Sequence, residues 1–392
     1  MPSLLFISPV KPYPTGNGLA MRAAAVQQAL GRMGDLQTLV VPVADSEHAQ
    51  TAAGETSRNA RSWLGYERGR ALLSQVPELP WLARWAAPAH GESIDPLDEE
   101  NGFDLVYLLR LYTAGVALPL MNRWPGARFV LDVDEDDSAV FRQIARLQAE
   151  FGQENQAAES LAEAGRLQGF ARQVLPWFDH VACATEVEAA ALQEKFEVGV
   201  LALPNVISPV SQAAGSDKKN SSDLLFLGNL DYFPNRDALN LLLTEIFPGI
   251  RQALPGTRLV VAGRGSDDLR HKHENDRGVN WLGYVDELGP LYRRARLCIV
   301  PLRIGGGSRL KLLEAFEHGL PVVASRKAAE GLEVKSGEHL LIADCTQDTI
   351  AAVRQILENP GLAETLTGNA RRYVRSNHLA ANLEKKMREL LC

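Results

Sequence analysis

The sequence predicts an α/β protein built from two doubly wound domains, each around a parallel sheet. Short apolar runs alternate with segments of helical periodicity along most of the chain. Residues 298–325 contain a strand, a glycine-rich loop, a helix and a second strand, which is the order of a parallel βαβ unit. A length of 392 residues is too great for one ordinary hydrophobic core, and a linker rich in Ser, Gly and Lys at 207–223 marks a domain boundary.

The composition is that of a globular protein with an uneven charge distribution. The formal net charge is −7, and 46% of the residues are hydrophobic and 23% charged. Residues 1–204 have 16 Lys and Arg against 26 Asp and Glu, whereas residues 205–392 have 25 against 22. The second half is therefore the positive one, which suits an anionic small molecule but offers no basic face broad enough for nucleic acid.

The sequence indicates a reduced protein without a targeting segment. Its cysteines are Cys183, Cys298, Cys345 and Cys392. Their spacing is neither paired nor typical of a metal site, so we expect free thiols. The first apolar run is interrupted by Pro9 and Lys11, which predicts a strand and not a signal peptide. No run approaches the ~18 apolar residues that span a bilayer, so we expect a cytoplasmic protein, soluble or peripheral to the inner face of the membrane.

The first domain opens with a strand at 4–8 and a helix at 19–33, joined by a loop that contains Gly16 and Gly18. Residues 44–102 show no clear element. They carry the aromatic residues Trp63, Tyr66, Trp81 and Trp85. These side chains either pack on the domain itself or contact an acceptor or a membrane surface.

A predicted strand at 127–134 ends in an acidic cluster. Its members are Asp132, Asp134, Glu135, Asp136 and Asp137. Two aspartates one residue apart at a strand end could bind a divalent metal through hard oxygen ligands, or could belong to the nucleophile strand of a phosphatase. The phosphatase pattern requires a threonine where Asp136 stands, so we disfavour it. Residues 135–137 could instead charge the first turn of the next helix.

The first domain ends with a helical region at 137–177, a strand at 180–185 and a further helix. Thr185 and Glu188 have the spacing of a capping box at the start of that helix. In the second domain, a strand at 257–262 is followed by Arg264, which is either a cation for an anionic ligand or part of a plain turn.

The stretch 298–325 carries the clearest chemical signal. Three glycines separate its first strand from a helix that opens at Ser308. In open α/β sheets, such loops at the carboxyl ends of strands form the ligand crevice. The free backbone N–H groups of Gly307, Ser308 and Arg309 favour an anion at the helix start, and the cations of Arg309 and Lys311 lie beside it. The sequence therefore predicts a phosphate site.

Glu314 lies within two turns of this helix start. A carboxylate near a phosphate site repels the phosphates, so its useful role would be to accept hydrogen bonds from hydroxyls such as a ribose diol. The alternative is an ordinary surface ion pair between Lys311 and Glu314, three residues apart, which would contribute roughly 0.2–0.5 kcal/mol.

The segment GGGSRLKLLEAFEHGLPVV at 305–323 resembles the C-terminal signature of family 4 glycosyltransferases, and the resemblance extends over nearly the whole chain. It implies the GT-B fold, in which two Rossmann-like domains turn their parallel sheets toward a cleft. The implied domains are 1–204 on the acceptor side and 205–376 on the nucleotide-sugar side, with a C-terminal helix at 377–392 that packs back on the first domain.

One turn departs from the usual family pattern. Most members have an arginine directly after a glycine in the first turn of the second domain and a lysine a few residues later. Here Asn229 follows Gly228, and the lysine position lies near Pro234. The sequence instead resembles a polysaccharide-assembly subgroup with the patterns G-x-x-x-x-x-P-N and GGG-[ST]-R-x-K. This resemblance implies that Arg309 and Lys311 carry the donor diphosphate.

The resemblance also assigns roles to other residues. Family members carry two signature glutamates in this loop and helix. The second corresponds to Glu314, which would bind the ribose, and the first corresponds to Gly306. Asp134 lies at the strand end that faces the acceptor in family members, and would orient an acceptor hydroxyl or assist proton removal. The remaining donor candidates are Gly16, Gly18, Arg264, Tyr284, Val285, Gly307 and Ser308. The backbone at 284–285 would read the base.

The implied activity is transfer of a sugar from a UDP-sugar or GDP-sugar to a glycan or lipid-linked acceptor in polysaccharide biosynthesis. The resemblance implies retention of the anomeric configuration and neither a metal nor a cofactor, because Arg309, Lys311 and the helix dipole neutralise the leaving diphosphate. Two alternatives stay open: a sugar-nucleotide epimerase of the same architecture, and a non-catalytic subunit that binds a sugar nucleotide for a partner protein.

Overall fold

A computed structural model describes most of the chain. The described ranges are 1–15, 17–41, 67–76, 78–81, 83, 102–210, 221–307 and 309–391. Several predicted features lie outside them, namely Gly16, Trp63, Tyr66, Trp85, Ser308 and Cys392. Trp81 is described, and its side chain is 43% exposed. Cys183, Cys298 and Cys345 are free cysteines, as predicted.

The chain divides into two compact units. The first comprises Met1–Pro14, Leu19–Pro204 and Leu383–Cys392, and the second Thr15–Gly18 and Asn205–Asn382.

Within its described residues, the first unit contains a six-stranded parallel sheet. The strands are β1 (Ser3–Ser8), β2 (Asp35–Val40), β3 (Leu105–Leu109), β4 (Arg128–Asp134), β5 (His180–Cys183) and β6 (Val200–Ala202). Their order across the sheet is β2-β1-β3-β4-β5-β6. Every residue of β3 is buried, as expected for a central strand that is covered on both faces.

The helices of the first unit connect these strands. They are α1 (Gly18–Gly31), α2 (Glu67–Gln75), α3 (Ala114–Arg123), α4 (Asp137–Glu150), α5 (Glu154–Val174) and α6 (Glu186–Phe196). Helix α6 begins at the predicted cap, because the hydroxyl of Thr185 accepts a hydrogen bond of 3.1 Å from the backbone N–H of Glu188.

The second unit contains another parallel sheet, again of six strands in its described part. The strands are β7 (Asp223–Leu227), β8 (Arg258–Ala262), β9 (Val279–Gly283), β10 (Leu297–Val300), β11 (Val322–Ala324) and β12 (Leu341–Ile342). Their order is β12-β11-β10-β7-β8-β9. The order reverses between β7 and β10, so the loops that follow these two strands flank a topological switch point.

The helices of the second unit follow the same alternation. They are α7 (Phe233–Leu241), α8 (Phe247–Ala253), α9 (Asp267–His273), α10 (Gly289–Arg294), α11 (Leu310–Glu317), α12 (Arg326–Ala329), α13 (Thr346–Glu358) and α14 (Pro360–Asn377). The last helix, α15 (Ala380–Met387), begins in the second unit and continues into the first from Leu383. Helix α11 begins at Leu310 and not at Ser308, because the backbone of Arg309 is not helical, with φ −83° and ψ 77°.

Candidate functional site

The predicted phosphate-binding loop leaves the carboxyl end of β10 and enters α11. Strand β10 pairs in parallel with β7, so the loop after β10 and the turn after β7 lie side by side at one edge of the sheet. Strands β8 and β9 run in the same direction. Their following loops, which contain Arg264 and Tyr284, therefore lie at that edge too. The structure brings the described second-unit candidates to one edge of one sheet.

Lys311 is partly buried in the first turn of α11. Its Nζ donates a hydrogen bond of 2.6 Å to Oδ1 of Asn235 and lies 5.8 Å from the ring centroid of Phe226. Among the described residues, no carboxylate lies within ion-pair distance of this Nζ. Burial, with a smaller contribution from the nearby cation of Arg309, lowers the pKa of Lys311 to about 8. The ammonium is thus held in place without being neutralised.

Arg309 binds the loop itself. Its guanidinium donates to the backbone carbonyl of Gly306 and, at 3.2 Å, to that of Lys327. Its Nε is buried without a partner. Gly305 has φ +130°, and a Cβ there would lie 3.2 Å from a guanidinium nitrogen, so this position requires glycine. At least two of the guanidinium donors of Arg309 therefore bind backbone carbonyls, and its predicted contact with the donor diphosphate stays a prediction.

Glu314 accepts a hydrogen bond of 3.2 Å from the hydroxyl of Tyr292, whose buried ring stacks on His318. Burial raises the pKa of Glu314 to about 7. The alternative of a solvated surface ion pair with Lys311 is wrong, because both side chains are partly buried and each has a different hydrogen-bond partner. A carboxylate held at the edge of protonation is typical of functional sites.

The turn after β7 reaches the same place. The side-chain amide of Asn235 donates to the backbone carbonyl of Asn229 at 2.9 Å. A Cβ on Gly228 would lie 2.8 Å from that amide nitrogen, so the turn is packed tightly on Asn235. The ammonium of Lys311 contacts Asn235, the residue that follows Pro234 in the sequence. The transfer of positive charge from one loop to the other stays a prediction.

The loops after β8 and β9 carry the other donor candidates. The backbone N–H of Leu230 donates to the carbonyl of Arg264 at 2.8 Å, so the loop after β8 is bound to the turn after β7. The glycine before Arg264 is required, because a Cβ on Gly263 would lie 1.7 Å from the carbonyl oxygen of Gly228. The side chain of Arg264 is exposed, and that of Tyr284 is 63% exposed.

In the first unit, Asp132 belongs to a buried ion pair that the sequence did not predict. Arg22 of α1 donates to both carboxylate oxygens of Asp132, from Nε at 3.0 Å and from Nη2 at 2.8 Å. The hydroxyl of Tyr107 donates to the same carboxylate at 2.6 Å. Arg22 also donates to the backbone carbonyl of Leu203 at 3.1 Å. Asp132 therefore joins α1 to the centre of the sheet.

Asp134 is ion-paired at the end of β4. Its carboxylate lies 3.2 Å from Arg110 and 3.5 Å from Arg22. Asp134 and Arg110 both have positive φ, +64° and +78°, a conformation that is strained for residues with side chains. Arg110 also contacts Glu135 at 3.3 Å and donates to Asp137. The guanidinium of Arg110 thus forms ion pairs with three carboxylates. Burial raises the pKa of the Asp137 carboxyl to about 7.

The remaining acidic residue has a structural role. Asp136 accepts a hydrogen bond from the backbone N–H of Ala139 at 3.2 Å and so caps α4. Lys195 pairs with it at 2.6 Å. Across the residues that the structure describes, no group of three or more His, Cys, Asp or Glu side chains could hold a metal ion. The metal-binding alternative for Asp132 and Asp134 therefore has no support in the geometry, since arginines occupy both carboxylates.

Helices long and apolar enough to cross a membrane are absent from the described part of the chain.

Comparison with known proteins finds a family match within the second unit. Residues 221–359 match the family model described as glycosyl transferases group 1. This part of the chain is similar to that family. The matched segment contains Lys311, Glu314 and Asn235. The glycogen synthase of Mycobacterium tuberculosis is 30% identical over 177 residues, which are 42% of this chain and 41% of that relative. The chain therefore matches about two fifths of the length of this relative.

Solved structures resemble the whole chain in fold. Sucrose-phosphate synthase from Thermosynechococcus elongatus superposes with a TM-score of 0.69 at 16% identity, covering 99% of this chain and 98% of that one. HepE of Anabaena, in complex with UDP and glucose, gives a TM-score of 0.63 at 14% identity over 100% and 99%. The predicted GT-B fold of two Rossmann-like domains is confirmed.

Proposed function

We propose that this protein is a glycosyltransferase that moves a sugar from a nucleotide-diphosphate sugar to a hydroxyl of a glycan or lipid-linked acceptor. The observation that carries the proposal is the pair on α11. The ammonium of Lys311 is fixed by Asn235 without a neutralising carboxylate, and one turn further Glu314 offers a hydrogen-bond acceptor. The spacing of a cation and a carboxylate at a switch point suits a diphosphate followed by a ribose diol. The group 1 match and the UDP-bound HepE structure support this assignment.

In this proposal the donor diphosphate lies against Lys311 and the backbone N–H groups of 307–309. As the bond between the anomeric carbon and the diphosphate oxygen breaks, negative charge grows on the leaving group. A fixed ammonium in a partly dry site stabilises that charge without having to reorganise. Glu314 accepts hydrogen bonds from the ribose hydroxyls, while Tyr284 and Val285 face the base and Arg264 supplies a second cation. Gly16 and Gly18 stay predictions for the same donor.

The acceptor oxygen forms the new bond to the anomeric carbon and loses its proton, which the departing diphosphate or a carboxylate of the first unit takes up. Asp134 is our candidate for orienting that hydroxyl. Its pairing with Arg110 fixes the position of the carboxylate. Retention of configuration and contact with the membrane surface belong to the same proposal.

A donor screen tests this function. UDP-sugars and GDP-sugars are first ranked by thermal shift, and a donor labelled in the sugar is then incubated with the protein, with and without simple sugar acceptors. Transfer or slow hydrolysis with release of the nucleoside diphosphate is expected. Isomerised donor would identify an epimerase instead, and binding without turnover would identify a non-catalytic subunit.

Activity is expected to be independent of divalent metal, because protein cations bind the diphosphate, and arginine and lysine side chains pair with the carboxylates of the acidic cluster. The measurement is the initial rate in excess chelator against the rate with added Mg²⁺ or Mn²⁺. A rate that disappears on chelation and returns with either ion would assign a metal to the reaction.

A further inference from the structure

Asn235 links the two loops of the candidate donor site. It is 8% exposed, and both ends of its side-chain amide are used. The oxygen accepts from Nζ of Lys311 at 2.6 Å, and the nitrogen donates to the backbone carbonyl of Asn229 at 2.9 Å. The close approach of Gly228 leaves this amide little freedom to rotate. A single side chain thus connects the turn after β7 to the first turn of α11.

The chemistry of an amide suits the control of a lysine that must meet a phosphate. An ammonium has three N–H donors, and the bond to Asn235 takes one of them, so two remain to be directed at a ligand. An amide oxygen orients the ammonium without cancelling its charge. A carboxylate in the same place would form an ion pair with Lys311 and compete with a diphosphate for it.

We propose that Asn235 is a positioning residue for the donor diphosphate, acting through Lys311: its amide oxygen aims the ammonium while its neutrality leaves the positive charge available to the phosphates. This inference rests on the proposed function, because it requires a nucleoside diphosphate in the site. Within that function it assigns the asparagine of the P-N pair a role in binding.

The test is the dissociation constant of UDP and GDP, measured by isothermal titration calorimetry for the wild type and two variants. Asn235→Asp keeps the shape and adds a charge. It is expected to weaken binding of the tighter nucleotide at pH 7 by about 10-fold or more, because Lys311 is then paired internally. Asn235→Ala removes the orienting bond and is expected to weaken binding by a smaller factor, about 5-fold.

A pH profile separates this role from simple support of the turn. In the wild type, affinity should decline as pH rises through about 8, where the ammonium of Lys311 loses its proton in the free protein. In Asn235→Asp the added carboxylate holds that proton, so the decline should begin at a higher pH. Damage to the turn alone would lower affinity at every pH without moving the point of decline.

Two controls complete the design. Asn359→Asp adds the same charge at an exposed helix cap, where Asn359 accepts from the backbone N–H of Leu362 at 3.0 Å, and should leave the dissociation constant unchanged. In a Lys311→Ala background, Asn235→Asp should have little further effect. Equal affinity and an unmoved pH profile in Asn235→Asp would overturn the inference alone. Failure of the wild type to bind either nucleotide would overturn the proposed function and the inference with it.

Discussion

Partial burial moves the ionisation of Lys311 and Glu314 toward neutral pH from opposite sides. The pKa of the lysine falls to about 8 and that of the glutamate rises to about 7. Burial disfavours the charged form of either group, and a bound diphosphate or diol would restore it. Nucleotide binding is therefore expected to change the protonation of the site, and the affinity to depend on pH between about 6 and 9.

Replacing Arg309 and Lys311 separately should distinguish an effect on nucleotide binding from an effect on stability. Lys311→Ala removes a charge-assisted contact of roughly 1.5–3 kcal/mol to the phosphates, so nucleotide affinity should fall by about 10-fold or more with little change in melting temperature. Arg309→Ala removes bonds to the carbonyls of Gly306 and Lys327, so the free energy of unfolding should fall by about 1–3 kcal/mol. Calorimetry and thermal melting measure both. A Lys311→Ala protein that binds UDP and GDP as the wild type does would contradict the phosphate assignment.

Glu314→Gln should stabilise the free protein while weakening the donor complex. Because the carboxyl pKa is raised from 4.5 to about 7 on folding, the folded state binds more protons in that range, and the free energy of unfolding decreases as pH rises through it. The neutral amide removes this cost, so the melting temperature should rise at pH 8 and change little near pH 4.5.

The ribose test uses 2′,3′-dideoxynucleotides. The wild type should prefer the ribonucleotide, and Glu314→Ala should lose the preference, at a cost of about 1–3 kcal/mol in donor binding. If both proteins discriminate equally, the ribose is held by another residue.

At the scale of elements, one ion pair joins helix α1 to strand β4. Arg22→Met leaves the buried carboxylate of Asp132 without its cation, which should lower the free energy of unfolding by roughly 3–5 kcal/mol, measured by urea denaturation. Adding Asp132→Asn removes the uncompensated charge, so the double variant should recover much of the loss. A single variant as stable as the double one would mean that the pair is solvated.

The sequence predicted the elements better than the contacts between them. The strands, the glycine loop and Glu314 follow from local patterns, because apolar runs and glycines report the backbone directly. The pairing of Arg22 with Asp132 could not be predicted, since 110 residues separate them and an arginine in a helix usually faces solvent. The direction of Arg309 depends on the φ of Gly305, which a GGG triplet does not specify. For the ion pair of Arg22, the available signal in the sequence was an arginine inside the apolar pattern of α1.

At the scale of the whole molecule, His378 anchors the segment that opens the second unit. Its Nδ1 lies 2.8 Å from the carbonyl of Asn205, its Nε2 lies 3.0 Å from the hydroxyl of Tyr373, and its carbonyl accepts from the N–H of Ile207. Burial lowers the pKa of His378 below 6.5, so the unfolded state binds the extra proton more readily.

The stability contributed by His378 should therefore be complete above about pH 6.5 and decline as pH falls below it. The measurement is the melting temperature against pH for the wild type and His378→Gln, with His271→Gln, an exposed histidine, as the matched control. The His378 variant should show a weaker decline between pH 6.5 and 5 than the other two proteins. Identical slopes in all three would assign the acid sensitivity to other groups.

The first unit is not continuous in sequence. Its last segment contributes Leu383, Met387 and Leu390, which are 2%, 0% and 0% exposed, and Lys386 donates to Glu186 at 2.6 Å. On the ribosome, these side chains emerge only after every residue of the second unit has been made. The first unit is thus completed later than the second. Folding that starts from the N-terminal side during synthesis can therefore yield only an unfinished first unit, with part of its apolar core uncovered.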